Sequence, residues 1–182
     1  MHILAISGSL RPNSTNKLLI QAVADRLPET VTLTLFDGLD NLPHFSPERD
    51  TDPPLPPVEH LRQSIAQADA VLICTPEYAF GIPGVLKNAL DWTVSTVLMN
   101  HKPVGVMSAS PGYAGGERAM ASLLPTLQAL DTRIPEGGAL VVSSVKSKLA
   151  LDGTITDVPT DVALRTLVAG LVGLMNTSHE SY

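Results

Sequence analysis

Short apolar runs alternate with longer stretches of helical period along the chain. Each short run is almost uniformly apolar and is bounded by turn residues, which is typical of strands buried on both faces of a parallel sheet. We predict five such strands, at residues 3–6, 31–36, 70–74, 104–108 and 139–142. Apolar residues three and four positions apart predict helices at 15–26, 58–67, 83–97, 116–130 and 160–175. The alternation predicts an α/β protein built as a three-layer αβα sandwich.

Residues 37–57 interrupt this alternation. The segment is rich in Pro, Asp and Asn and contains two Pro-Pro pairs, so we predict a surface loop rather than a domain boundary. The chain has 182 residues, and too little of it lies on either side of this loop for two separate cores. We therefore expect one domain over residues 1–182.

The composition excludes several classes of partner and site. Twelve basic and eighteen acidic residues give a net charge of −6, without the clustered Lys and Arg that binding to a phosphate backbone requires, so we expect no nucleic-acid partner. The single cysteine, Cys74, excludes an internal disulfide and ends a predicted buried strand, where we expect it to pack in the core. The five histidines show no metal-ligand spacing, so we expect no metal site.

Two further features bear on location. The N-terminus lacks the basic region that begins a signal peptide, and no uninterrupted apolar run reaches the roughly 18 residues of a membrane helix. We expect a cytoplasmic protein with no membrane partner.

Polar residues that suit an anion follow the first predicted strand. Gly8 permits a tight turn, and the next residues supply short donors and one forked cation at the start of a helix, where the helix dipole favours negative charge. The candidate ligands are Ser9, Arg11, Ser14, Thr15 and Asn16. Ser14 or Thr15 also fits the helix cap. The alternative is that these residues form only a loop and a cap.

Spacing excludes two nucleotide-binding motifs at this loop. A P-loop requires glycine where Asn13 stands, directly before Lys and Ser or Thr. A dinucleotide fingerprint requires glycines where Leu10 and Asn13 stand. A monophosphate held by hydroxyls and amides fits the segment better.

A second polar segment follows the third strand and, with the first, carries a resemblance. The chain resembles the NAD(P)H-dependent FMN reductase family in a Gly-Ser-x-Arg-x-x-Ser-x-Asn loop, a Pro-Glu-Tyr loop and a Pro-x-x-Leu-Lys-Asn-Ala-x-Asp-Trp helix. The matching residues of the first motif are Gly8, Ser9, Arg11, Ser14 and Asn16, and those of the last are Pro83, Leu86, Lys87, Asn88, Ala89, Asp91 and Trp92. One residue departs from the pattern: Ala79 stands where the family usually has Asn, which removes a side-chain hydrogen bond to the flavin edge or to the loop itself.

The resemblance implies a fold and a cofactor. The fold is flavodoxin-like, with a five-stranded parallel sheet of order 2-1-3-4-5, in which the loops after strands one and three face one crevice. FMN phosphate would lie on the first segment, at Ser9, Arg11, Ser14 and Asn16. The flavin ring would be bordered by the second segment, at Pro76, Glu77, Tyr78, Ala79 and Phe80. The alternative for Tyr78 and Phe80 is packing at a strand end.

A third segment after strand four is similar to the family's Ser-x-x-Gly-x-x-Gly-Gly loop. Its candidate contacts to the ring edge or to the nicotinamide are Ser110, Gly112, Gly115 and Gly116. The alternative is a flexible connection to the next helix.

The activity that the resemblance implies is hydride transfer from NADPH or NADH to FMN. Reduced flavin would then pass electrons to a quinone, an azo compound, a metal oxyanion or free flavin, with no catalytic side chain because the cofactor carries the chemistry. Family members form homodimers or homotetramers, in which the helix of Lys87, Asp91 and Trp92 takes part in subunit contacts. Two alternatives stay open: a flavodoxin-like electron carrier that does not itself oxidise NAD(P)H, and a flavin-free binding module.

Overall fold

A parallel sheet forms the centre of the molecule. In the computed structural model, which describes residues 1–112, 115–150 and 152–179, the strands are β1 (His2–Ser7), β2 (Thr32–Leu35), β3 (Ala70–Thr75), β4 (Val104–Ala109) and β5 (Ala139–Val142). Neighbouring strands are parallel throughout, in the order β2-β1-β3-β4-β5. The flavodoxin-like order is therefore confirmed.

Five α-helices cover the sheet. They are α1 (Thr15–Ala24), α2 (Pro56–Ala66), α3 (Gly84–Asp91), α4 (Glu117–Ala129) and α5 (Val158–His179), with short 3-10 helices at Leu39–Asn41, Pro47–Arg49 and Val145–Ser147. Consecutive side chains of β3 point to opposite faces of the sheet. Leu72 packs with α1 and α5, whereas Ile73 packs with α2, α3 and α4. Cover on both faces explains why β3 and β4 are buried along their whole length. The αβα sandwich is confirmed.

The third helix ends earlier than its sequence predicts. The prediction extended over residues 83–97, whereas α3 stops at Asp91. The carbonyl of Trp92 accepts hydrogen bonds from Nε and Nη2 of Arg62, at 3.1 and 2.8 Å, and the hydroxyl of Thr93 donates to another helix carbonyl at 2.7 Å. These carbonyls therefore accept hydrogen bonds from side chains. In a continuing helix they would accept them from backbone amides four residues further along.

The segment 37–57 is more than the predicted surface loop. Leu39 and Leu42 are buried in the core layer of α2, α3 and α4. The carbonyl of Pro43 accepts hydrogen bonds from the indole Nε1 of Trp92, at 2.8 Å, and from Nδ2 of Asn88, at 2.9 Å. The segment is thus anchored in two ways. The carbonyl of Pro43 binds Asn88 and Trp92, and the side chains of Leu39 and Leu42 are buried in the core.

The last helix is long and apolar enough, by length and composition, to cross a membrane. Four residues at helical spacing, Leu164, Leu167, Leu171 and Met175, are buried in the core layer that α5 shares with α1. This stripe packs against the sheet, and 33% of the apolar window of α5 is buried inside the molecule.

Candidate functional site

The loop from Gly8 to Ser14, here the first loop, gathers buried polar side chains at the start of α1. Ser9, Ser14 and Asn16 are 4%, 5% and 4% exposed. The Oγ of Ser14 caps α1 by accepting a hydrogen bond from the backbone N–H of Asn16 at 3.2 Å, and it also accepts one from Nδ2 of Asn16 at 3.2 Å. Short donors at the positive end of a helix form a site suited to an anion.

The first loop lies directly against β3. The backbone N–H of Gly8 donates to the carbonyl of Cys74 at 2.8 Å. A Cβ on Gly8 would lie only 2.8 Å from Oγ1 of Thr75, so a side chain at this position would push the loop away from the sheet. Glycine is therefore required for the close approach of the two loops that follow β1 and β3.

The loop from Pro76 to Pro83, here the second loop, contains a tight hairpin. Tyr78 and Gly81 exchange two backbone hydrogen bonds of 3.0 Å each. The two central residues, Ala79 and Phe80, have φ angles of 48° and 63°, which is the left-handed backbone of a type I′ turn. Asn adopts this conformation more readily than Ala, so the turn is less favourable for Ala79 than for Asn.

Both aromatic side chains of the second loop are exposed. Tyr78 is 50% and Phe80 is 78% exposed, and the guanidinium of Arg118 lies 5.9 Å from the centre of the Phe80 ring. Neither side chain packs in the core, so the strand-end packing considered for them from the sequence is wrong.

Glu77 connects the second loop to α4. Its Oε2 accepts hydrogen bonds from the backbone N–H groups of Gly116, Arg118 and Ala119, at 2.9, 3.0 and 3.2 Å. Gly116 precedes the helix with a φ of 102°, a conformation that glycine adopts without strain. The carboxylate therefore caps α4, a role the sequence did not predict.

The loop from Ser110 to Gly116, here the third loop, is tied to the loop after β5. The backbone N–H of Val145 donates to the carbonyl of Ser110 at 3.1 Å, and that of Ser144 donates to the carbonyl of Gly112 at 3.0 Å. Residues 113 and 114 lie outside the described part of the chain. The described residues of this loop are held by backbone hydrogen bonds, which differs from the flexible connection considered from the sequence.

The three loops enclose one crevice of about 160 Å³ at the carboxyl edge of the sheet. Nine of the sequence-derived site residues line it: Ser9, Arg11, Ser14, Thr15, Asn16, Pro76, Glu77, Tyr78 and Ser110. The structure thus brings together residues from the loops after β1, β3 and β4. Five others are not part of this lining: Ala79, Phe80, Gly112, Gly115 and Gly116.

Sequence reasoning missed four residues of the crevice lining: Ala109, Pro111, Val145 and Lys146. Lys146 brings a second cation to the crevice, in addition to Arg11. A signal for it existed, because Lys146 follows β5 closely and the carboxyl ends of all parallel strands meet at the same edge.

Cys74 lies beneath the first loop and is fully buried. Burial raises the pKa of its thiol well above the ordinary range, which keeps it protonated and unreactive as a nucleophile. The expectation of a core cysteine is confirmed.

The charged end of α3 lies apart from the crevice. Lys87 Nζ and Asp91 Oδ1 form an ion pair of 2.5 Å one helical turn apart, and Trp92 is fully buried. Asn88 and Trp92 share the carbonyl of Pro43, as described above. The Lys-Asn-Ala-x-Asp-Trp motif therefore has a structural role in this chain, since it fastens the segment 37–57 to the helix.

The fold is that of a flavodoxin-like protein, with a crevice lined by polar residues at the start of its first helix. The family model for NADPH-dependent FMN reductase matches residues 1–147, and the chain belongs to that family. It is an oxidoreductase of the NAD(P)H-dependent flavoenzyme type.

Individual relatives agree with this assignment. The chain is 33% identical to an NAD(P)H-dependent FMN reductase of Pseudomonas aeruginosa over 85% of this chain and 84% of that one. It is also 33% identical to a 2-hydroxy-1,4-benzoquinone reductase of Burkholderia sp., over 92% of each chain. Among solved structures, the flavoenzyme NAD(P)H:(acceptor) oxidoreductase FerB of Paracoccus denitrificans superimposes with a TM-score of 0.78, at 28% identity and 97% coverage of both chains.

Proposed function

We propose that the crevice holds FMN with its phosphate at the first loop. The observation that carries this proposal is the set of buried donors at the start of α1, beside the exposed cation of Arg11. Ser9, Ser14, Thr15 and Asn16 would bind the phosphate oxygens, with Arg11 closing the site from the solvent side. A phosphate monoester suits these residues because hydroxyls, amides and a guanidinium all donate to its oxygens.

The remaining lining suits a planar, partly polar ring. Pro76, Tyr78 and Ser110 would border it, with backbone groups of the second and third loops within reach of its edge. The carboxylate of Glu77 is turned toward the start of α4, because its Oε2 accepts hydrogen bonds from the amides of Gly116, Arg118 and Ala119. Ala79, Phe80, Gly112, Gly115 and Gly116 would act through the shape of their loops.

Bound FMN would supply hydride acceptance from NADPH or NADH and electron delivery to an acceptor. The chain's own part is to hold the phosphate, to orient the ring against the second loop and to leave one side open to small molecules. No side chain needs to act as acid, base or nucleophile for hydride transfer, so we assign no catalytic residue.

The acceptor we favour is a quinone. The relatives include a 2-hydroxy-1,4-benzoquinone reductase and quinone reductases, the latter 31% identical to this chain. Azo compounds, metal oxyanions and free flavin remain acceptors to be compared with it under the same conditions.

We also propose that the protein works as a homodimer or homotetramer in the cytoplasm. Exposed apolar side chains support a subunit contact near the crevice and after α3: Tyr78, Phe80, Val94 and Val97 are 50%, 78%, 62% and 77% exposed. Tyr78 and Phe80 belong to one hairpin and Val94 and Val97 to one short segment, and exposed apolar patches are typical of interfaces.

An anaerobic titration of the FMN-reconstituted protein with NADPH, and separately with NADH, tests the proposal. We expect the visible absorption of protein-bound flavin to bleach at catalytic rates with at least one donor, and to return when a benzoquinone is added. Bound flavin that stays oxidised with both donors would favour an electron carrier. Failure to bind FMN would favour a binding module, and either result overturns the proposal.

A further inference from the structure

A buried thiol contacts the first turn of α1 from the side of the sheet. Sγ of Cys74 donates a hydrogen bond to Oδ1 of Asn16, with the two atoms 3.2 Å apart. Cys74 is fully buried at the end of β3, and Asn16 is 4% exposed in the first turn of α1. This contact links the sheet directly to a side chain of the proposed phosphate site.

The thiol determines which way the Asn16 amide faces. Because the thiol occupies the amide oxygen, the amide nitrogen must point to the opposite side. There Nδ2 donates one hydrogen to Oγ of Ser14 at 3.2 Å. An amide nitrogen carries two hydrogens, so the second is available to a group in the crevice that Asn16 lines.

The same arrangement determines where the Ser14 proton points. The Ser14 oxygen accepts hydrogen bonds from both the backbone N–H and Nδ2 of Asn16. A hydroxyl has two lone pairs and one proton, so both lone pairs are used and the proton is left to donate. Ser14 therefore faces the crevice as a donor, which is the polarity that a phosphate oxygen needs.

We propose that Cys74 is a positioning residue for the phosphate site, acting through Asn16 and Ser14 to present donors alone to the anion. The inference rests on the proposed function, since it concerns the same crevice and the same FMN phosphate. The raised pKa of the buried thiol keeps its proton in place across the physiological range.

The test compares FMN with riboflavin, which has the same ring but no phosphate. We expect Cys74→Ala to weaken FMN binding about three- to tenfold, the loss typical of one buried hydrogen bond. Riboflavin affinity should stay the same, because the ring lies on other loops. Cys74→Ser keeps a donor at this position and should restore FMN affinity to within about twofold of the original protein.

Two controls separate positioning from packing. Val23→Ala opens a cavity in the same core layer beneath α1 without touching Asn16, so it should lower the melting temperature and leave the ratio of FMN to riboflavin affinity unchanged. In the Asn16→Ala background, Cys74→Ala should cause no additional loss of FMN affinity, because the residue through which it acts is absent.

The outcomes distinguish this inference from the proposed function. If the original protein binds FMN no better than riboflavin, the placement of the phosphate itself is wrong. If it prefers FMN but Cys74→Ala leaves that preference unchanged, or lowers both affinities equally, Cys74 has only a packing role. Loss confined to FMN, with recovery in Cys74→Ser, supports the positioning role.

Discussion

Two helices begin at the same edge of the sheet, and their N-termini are closed in opposite ways. At α1 the cap is the neutral hydroxyl of Ser14, which lines the open crevice. At α4 the amides are taken by the carboxylate of Glu77, which comes from the loop after a different strand. Both termini carry the partial positive charge of a helix dipole. At α1, unlike α4, the chain supplies no carboxylate of its own to that charge.

The difference teaches that a helix N-terminus becomes an anion site only when the protein supplies no anion of its own. Arg11 and Lys146 line the crevice beside the neutral cap, which increases its attraction for a phosphate. Glu77 does two things at once, because satisfying α4 also joins the second loop to the third. Substitutions that exchange the two arrangements are the sharpest way to examine them.

The largest effect should come from placing a carboxylate at the N-terminus of α1, as Glu77 does at α4. Ser14→Asp keeps a good helix cap but puts a carboxylate against the phosphate, and like charges at such a contact cost several kcal/mol. We expect FMN affinity to fall on the order of 1,000-fold, about 4 kcal/mol. Fluorescence titration with FMN measures this loss directly.

Ser14→Asn is the matched control, because Asn has the shape of Asp and caps helices equally well without the charge. It should lose much less FMN affinity than Ser14→Asp, and both variants should bind riboflavin alike. Equal loss of FMN affinity in the two variants would show that charge at this helix terminus does not decide binding.

The next effect should come from opening α4. Glu77→Ala removes three hydrogen bonds to a carboxylate and leaves the first amides of the helix without their cap. We expect the free energy of unfolding of the FMN-free protein to fall by about 2–3 kcal/mol in urea titrations. Glu77→Gln, which keeps an acceptor oxygen but not the charge, should lose about half as much.

Glu117→Ala serves as the control for this comparison, since Glu117 is an exposed acidic residue in the first turn of α4 itself. Its loss should change stability by no more than about 0.5 kcal/mol. A similar loss in Glu117→Ala and Glu77→Ala would indicate that general negative charge, rather than the specific cap, stabilises the terminus.

A smaller effect is expected for the cation of the open terminus. Arg11→Ala should weaken FMN binding about tenfold, about 1.4 kcal/mol, and should change the turnover of fully loaded enzyme much less. Arg133→Ala makes the same change of net charge at the opposite edge of the sheet, where Arg133 pairs with Pro103 just before β4. Unchanged FMN affinity in Arg11→Ala would contradict its role at the phosphate.

Sequence patterns predicted the sheet well because its signals are local. Uniform apolar runs marked the strands, and the polar residues after β1 marked the open terminus before any contact was known. The motif residue Glu77 was found by the same means, yet its partner was not, because Gly116 is distant along the chain and the hydrogen bond depends on how two loops meet. Motifs identify which residues matter, whereas tertiary contacts decide what they do.

The end of α3 shows the same limit from another side. Helical spacing continues past Asp91, and no local breaker such as proline follows. The helix ends because Arg62 of α2 reaches the carbonyl of Trp92. Lys146 likewise enters the crevice only through the position of β5. The end of α3 and the position of Lys146 both depend on how separate helices and strands pack together. A single sequence does not give that packing.

The smallest effect concerns the strained turn that carries Glu77 toward α4. Ala79 has a φ of 48°, a left-handed backbone that costs an L-residue roughly 1–2 kcal/mol and that Asn tolerates better. Ala79→Asn should therefore raise the free energy of unfolding by about 0.5–1 kcal/mol. The control is Ala129→Asn, at the exposed last residue of α4, where no such strain exists and no gain is expected. If Ala79→Asn is no more stable than the original protein, the hairpin does not limit the stability of the loop, and the cap by Glu77 alone holds the second loop against α4.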